Sequence, residues 1–189
     1  MGSVSMGNGD IIGILDLTLL DRGASEEDLV RLCERAVAYR VAAVCVFSEH
    51  VRFVRGLLPE EVKVASVVGG FPVGWRDPTK VSKAISEAID FGADEIDCVL
   101  EPTPNGGDAS EEDLQILSAM RDACGKKTLK VIIETPLMDE HSIRATSRLA
   151  MASGADFVKT CTGKRGDCTD EDARICLLYT SDAADDDHC

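Results

Sequence analysis

Short runs of β-branched and other apolar residues alternate along the chain with longer stretches in which apolar positions recur every three to four residues. The first pattern reads as strands buried on both faces, the second as amphipathic helices. Their regular alternation is the signature of βα units built around a parallel sheet. Six strand runs stand out: Ile11 to Leu15, Ala42 to Phe47, Val62 to Val68, Glu95 to Leu100, Thr128 to Thr135 and Asp156 to Thr160. Helix starts are marked by Ser25 with Asp28, Thr79 onward, Ser110 with Asp113 and Asp139 onward, each a capping residue or acidic first turn ahead of an apolar period. A shorter helix is predicted over Ser48 to Leu58, and a further start lies near Thr169.

One repeat sharpens this pattern. The turn Gly92-Ala93-Asp94 recurs as Gly154-Ala155-Asp156, and Asp97 and Lys159 stand at the same offset beyond it. The corresponding place on the second strand is Cys45. Period-2 parity turns these side chains to one face of the sheet, and in an eight-stranded βα barrel alternate strands fill a common interior layer. Strand starts recur roughly every 30 residues, so eight units would need about 230 residues. The expected fold class is therefore α/β, a TIM (β/α)8 barrel with only about six βα units in this chain of 189 residues.

Charge and composition narrow the function classes. With 20 Lys+Arg against 34 Asp+Glu the net charge is −14, which excludes a broad phosphate-neutralising face for nucleic acid but leaves room for a small anion held by local cations. No apolar run approaches the ~18 residues of a membrane-spanning helix, and the first ten residues lack a signal peptide's basic start and apolar middle. The chain is thus expected to be cytoplasmic, with neither a nucleic-acid nor a membrane partner. Its eight cysteines include no C-x-x-C pair and its three histidines have no second ligand at helical spacing, so neither a disulfide framework nor a metal site is expected.

The candidate chemistry lies at strand ends. Lys159 closes an apolar run at the C-terminal end of a parallel strand, where a desolvated lysine can present a neutral amine to a carbonyl; the plainer alternative is a lysine reaching out to solvent. Asp97 sits in an otherwise apolar strand and needs a partner, either as a proton carrier for Lys159 or in a structural ion pair. Lys130 shares parity with Glu134, and these two could pair with each other or join the same network. Asp16 and Thr18 close the first strand, where ordinary turn chemistry is the alternative. Thr160-Cys161-Thr162-Gly163-Lys164 follows Lys159 and could hold an anion through backbone N–H groups and a cation. Gly69 to Gly74 forms a rigid turn with no evident purpose.

Taken together, Leu15-Asp16-Leu17-Thr18-Leu19-Leu20, Gly70-Phe71-Pro72-Val73-Gly74, Gly92-Ala93-Asp94-Glu95-Ile96-Asp97, Leu129 to Thr135 and Ala155 to Lys164 resemble the 2-deoxyribose-5-phosphate aldolases, in order, from about residue 10 to 175. The resemblance implies a class I aldolase that reversibly cleaves 2-deoxyribose 5-phosphate to glyceraldehyde 3-phosphate and acetaldehyde through a lysine Schiff base, with no metal and no cofactor. It implies Lys159 as the Schiff-base lysine and Asp97 as the proton-relay acid. Asp16, Thr18, Cys45, Lys130, Thr160, Gly163 and Lys164 fall at positions that line the substrate pocket or approach the phosphate. The implied partners are a sugar phosphate and acetaldehyde, with a homo-oligomer left open.

The resemblance also has gaps. The family's G-F-K block on the seventh strand and the Gly- and Ser-rich turns after it are not matched, so this chain as written is expected to be inactive or nearly so. The corresponding division is a flexible leader over 1–9, a partial barrel over 10–175, and a non-family tail over 176–189 that is disordered or an artefact. Two alternatives remain: another Schiff-base barrel lyase, and a catalytically dead interaction protein of aldolase descent.

Overall fold

A computed structural model describes residues 11–103 and 110–181. The strands are β1 (Asp16–Leu19), β2 (Ala43–Phe47), β3 (Lys63–Val68), β4 (Glu95–Val99), β5 (Thr128–Ile132) and β6 (Phe157–Lys159), in one sheet with spatial order equal to chain order. The helices are α1 (Glu26–Tyr39), α2 (Ser48–Leu57), α3 (Pro78–Asp90), α4 (Glu111–Cys124), α5 (Glu140–Ala152) and α6 (Asp170–Ser181), and a 3-10 turn covers Thr135–Leu137. Every residue of β2 is buried, as are all but the first of β3, β4 and β5, which is what a parallel strand covered on both faces requires.

The helix starts form as their sequences predict. Ser25 and Asp28 make a reciprocal capping box at α1, and Ser110 and Asp113 make another at α4. Asp139 accepts the Ser142 N–H at α5, Asp77 accepts those of Thr79 and Lys80 at α3, and Thr169 and Asp172 bond reciprocally at α6. Hydrogen bonds from Ser25 and Arg31 hold the Asp28 carboxyl down at about 2. A carboxylate lowered by folding stabilises the fold above its unfolded value of about 4 and loses that contribution as pH falls through its folded value. In an NMR titration, the Asp28 carboxyl should therefore titrate near 2, and Ser25→Ala should shift it upward.

Two elements differ from the sequence expectation. The first strand begins at Asp16, while the apolar run Ile11 to Leu15 forms a turn: Ile14 and Leu15 donate backbone N–H groups to Ile11 and Ile12, and Ile14 is 65% exposed. Apolar character alone was a poor guide there because those side chains find no core. At the other end, α6 runs on through 175, the expected limit of the barrel segment, to Ser181, and Cys176 is buried with the Ser147 hydroxyl 3.6 Å from its sulfur. Residues 1–9 of the expected leader and 182–189 of the expected tail lie outside the described residues.

Two compact units emerge, one made of the described residues up to Val67 with Ala88–Glu95, the other of Val68–Glu87 with the described residues from Ile96 onward. In the first, β1, β2 and β3 pair in parallel, with Thr18 opposite Cys45 and Cys45 opposite Ala65. In the second, β5 and β6 pair in parallel with Ile132 opposite Lys159, and Leu100 beyond β4 donates its N–H to Ile132.

The repeated Gly-Ala-Asp turn has a structural role in each unit. In the first, Asp94 Oδ2 accepts the Val64 N–H at 3.1 Å and the Arg55 guanidinium at 2.9 Å, while Asp94 N–H donates to Val64 O. Arg55 also donates to the carbonyls of Leu58, Pro59 and Val62. In the second, Asp156 Oδ2 accepts the Leu129 N–H at 2.8 Å and Arg121 at 3.0 Å, Asp156 N–H donates to Leu129 O, and Arg121 binds the carbonyls of Gly125, Lys127 and Gly154. Each arginine–aspartate clasp thus joins the starts of two neighbouring strands and fixes their register. Asp94→Ala should lower unfolding stability by about 2 kcal/mol in a denaturant melt, since a half-buried guanidinium and a backbone N–H lose their acceptor together.

Candidate active site

The second unit brings together Asp97 from the middle of β4, Lys130 from the middle of β5 and Lys159 from the C-terminal end of β6. Asp97 is fully buried in β4. Its Oδ2 accepts a hydrogen bond from Lys159 Nζ at 2.5 Å, and its Oδ1 lies 3.9 Å from Lys130 Nζ. The Lys130 side chain is nearly buried, whereas that of Lys159 is 33% exposed, so the latter is the amine that a solute can reach. A carboxylate out of water between two ammonium groups is a charge cluster held in place by its partners. With both lysines protonated the three side chains carry one excess positive charge, and release of one proton removes it.

Lys130 therefore joins Asp97, while Glu134 takes a different role. Glu134 is fully buried with a left-handed backbone (φ 56°), and its Oε1 accepts the Thr162 N–H at 3.2 Å. That bond and the 2.7 Å bond from Thr135 N–H to Thr160 O dock the loop after β6 against the end of β5. Within the loop, Lys164 N–H bonds to Thr162 Oγ1, and Gly163 adopts φ 65°, a conformation that favours glycine. Among the described residues, Gly163 N–H and Lys164 Nζ make no hydrogen bond or ion pair. They are the donors this loop can offer to an anion.

The remaining candidates lie in the first unit. Thr18 and Cys45 are register partners, Cys45 is buried, and Thr18 Oγ1 donates to Asp16 O at 3.0 Å. The purpose of the Gly69 to Gly74 turn, opaque in the sequence, is visible in the second unit. Trp75 N–H closes it on Gly69 O, and Gly74 packs so tightly on β4 that a Cβ there would lie 2.4 Å from Val99 O. Gly74 N–H donates to Glu101, whose carboxylate is also gripped by both guanidinium nitrogens of Arg165 at 2.7 and 2.9 Å. Neither Glu101 nor Arg165 was legible as a site residue, because their pairing spans 64 positions and follows no local spacing.

Known proteins agree with this architecture. A family model described as DeoC/LacD family aldolase matches residues 11–183. A deoxyribose-phosphate aldolase of Halalkalibacterium halodurans is 38% identical over 173 residues, covering 87% of this chain and 75% of the relative. One from Treponema denticola is 39% identical over 156 residues, covering 79% and 70%. The solved tetrameric deoxyribose phosphate aldolase of Aeropyrum pernix superposes with a TM-score of 0.82 at 26% identity, over 93% of this chain and 74% of that one. The fold is accordingly that of the TIM-barrel aldolases, with six parallel strands among the described residues. Since the family match takes in all of the strands described and both lysines facing Asp97, the chain belongs to the DeoC/LacD aldolase family.

Proposed function

We propose that the chain is a deoxyribose-phosphate aldolase in which Lys159 is the Schiff-base nucleophile and Asp97 moves the proton. The observation that carries this is the 2.5 Å contact between a reachable lysine and a fully buried carboxylate that also faces a second lysine. In the synthetic direction, the neutral Lys159 amine adds to the carbonyl carbon of acetaldehyde, and the carbinolamine hydroxyl takes up a proton from solvent and leaves as water, giving an iminium; that proton is returned when the product iminium is hydrolysed. The Asp97 carboxylate, directly or through water, removes a proton from the adjacent carbon to give the enamine. The enamine carbon attacks the aldehyde of glyceraldehyde 3-phosphate, the new alkoxide takes up a proton, and water releases the sugar phosphate and regenerates the amine. The iminium acts as the electron sink, which splits one difficult step into easier ones.

Thr160, Gly163 and Lys164 are proposed for the phosphate end, supported by the unpartnered donors of the loop after β6. Asp16, Thr18 and Cys45 are proposed as further pocket residues on the family resemblance. The tetrameric Aeropyrum pernix enzyme supports self-association, and the cytoplasm is the proposed compartment because the seven described cysteines are all free thiols. No described helix is long and apolar enough to cross a membrane. The direct test is to incubate the chain with acetaldehyde and borohydride and map the reduced adduct by peptide mass spectrometry. An ethyl group on Lys159 is expected, and an adduct confined to other lysines would overturn the assignment.

A further inference from the structure

The loop after β6 is tied down at three positions. Thr160 O is held by Thr135 N–H, Thr162 N–H by Glu134, and Arg165 by Glu101. The last tie is the strongest in kind, a bidentate guanidinium–carboxylate pair with both side chains largely withdrawn from water, 24% and 18% exposed. Glu101 does more than neutralise Arg165. The oxygen that receives Arg165 at 2.7 Å also receives the Gly74 N–H at 3.0 Å, and the Glu101 carbonyl receives Arg76, which is itself paired with Glu112 and Asp113. One carboxylate therefore joins the loop after β3, the end of β4 and the loop after β6. The pairing also decides which cation of the adjacent Lys164-Arg165 pair is available. Glu101 holds the guanidinium in its charged form with its hydrogen-bonding edge occupied, while the Lys164 ammonium beside it has no partner among the described residues.

Resting on the phosphate role proposed for this loop, we infer that Glu101 is a positioning residue for phosphate recognition. By gripping Arg165 and Gly74 together, it fixes the loop so that the Gly163 N–H and the Lys164 ammonium, rather than the Arg165 guanidinium, receive the phosphate. Discrimination between a phosphorylated and an unphosphorylated sugar then depends on a carboxylate that never touches the phosphate. A carboxylate next to a phosphate site would ordinarily repel the ligand; here its charge is cancelled by the arginine it holds.

The test compares 2-deoxyribose 5-phosphate with 2-deoxyribose in borohydride trapping at Lys159, reading the half-saturating concentration of each and taking their ratio. The unchanged chain should prefer the phosphorylated sugar, and Lys164→Met should reduce that preference. Glu101→Ala and Arg165→Met should each reduce it about tenfold, because either change releases the loop, whereas Glu101→Gln, which keeps an acceptor for Gly74, should fall between. A general loosening of the fold would weaken trapping of both sugars and leave the ratio intact, which would overturn the inference. A tighter grip on the phosphorylated sugar in Glu101→Ala would overturn it too, by showing that Arg165, once freed, is itself the phosphate ligand. Loss of preference in Lys164→Met with no effect at Glu101 removes only the role of Glu101. The absence of any preference in the unchanged chain removes the phosphate role of the loop and this inference with it.

Discussion

Replacing Lys159 by arginine should abolish imine trapping with acetaldehyde, lowering adduct formation by about 10⁴-fold or more, while leaving the fold intact. The arginine keeps a cation beside the buried Asp97 but removes the amine that can lose its proton and bond to carbon, so charge and nucleophilicity are separated in one substitution. Lys159→Met, by contrast, removes both and leaves Asp97 with Lys130 at 3.9 Å as its described ion-pair partner. Borohydride trapping reads the imine step by itself and therefore applies whether or not the full catalytic cycle turns over. An arginine variant that incorporates as much label as the unchanged chain would move the nucleophile elsewhere.

Asp97→Asn should have two separable effects. Imine formation and enamine protonation should slow by about 10²- to 10⁴-fold, since an amide occupies the carboxylate's space but cannot carry the proton. Stability should also fall, by about 3 kcal/mol near neutral pH, because two lysines lose the charge that compensates them. Denaturant melts of both chains would measure the deficit, and an unchanged melt would mean that packing, not charge, holds the cluster together.

Much of this was readable in the sequence, for local reasons. The capping residues at Ser25, Ser110 and Asp139 act within three residues of themselves, and the apolar runs from β2 to β5 coincide with strands because both of their faces are covered, while β6 forms with Phe157 exposed. Asp97 and Lys159 could be matched because the turns before them repeat in sequence and strand parity does the rest. The failures are those of distance. Nothing near Ile11 to Leu15 reveals that this run lacks a covering layer. Nothing near Lys130 says that it faces Asp97 while Glu134 turns to the Thr162 N–H. The Glu101–Arg165 pair and the close seat of Gly74 on β4 arise only when three loops converge.

The paired arginine–aspartate clasps bear on how such a chain can change. Each anchors the entry of a strand by the same bonds, and three positions downstream the two copies carry opposite charges, Asp97 in one and Lys159 in the other. Along a strand, three residues are about 10 Å, enough to separate the anchoring corner from the position proposed for chemistry. A duplicated unit of this kind could recruit its far position for a new charge without disturbing its corner, so that the parts that hold the strands in register and the parts that make and break bonds diverge on separate schedules.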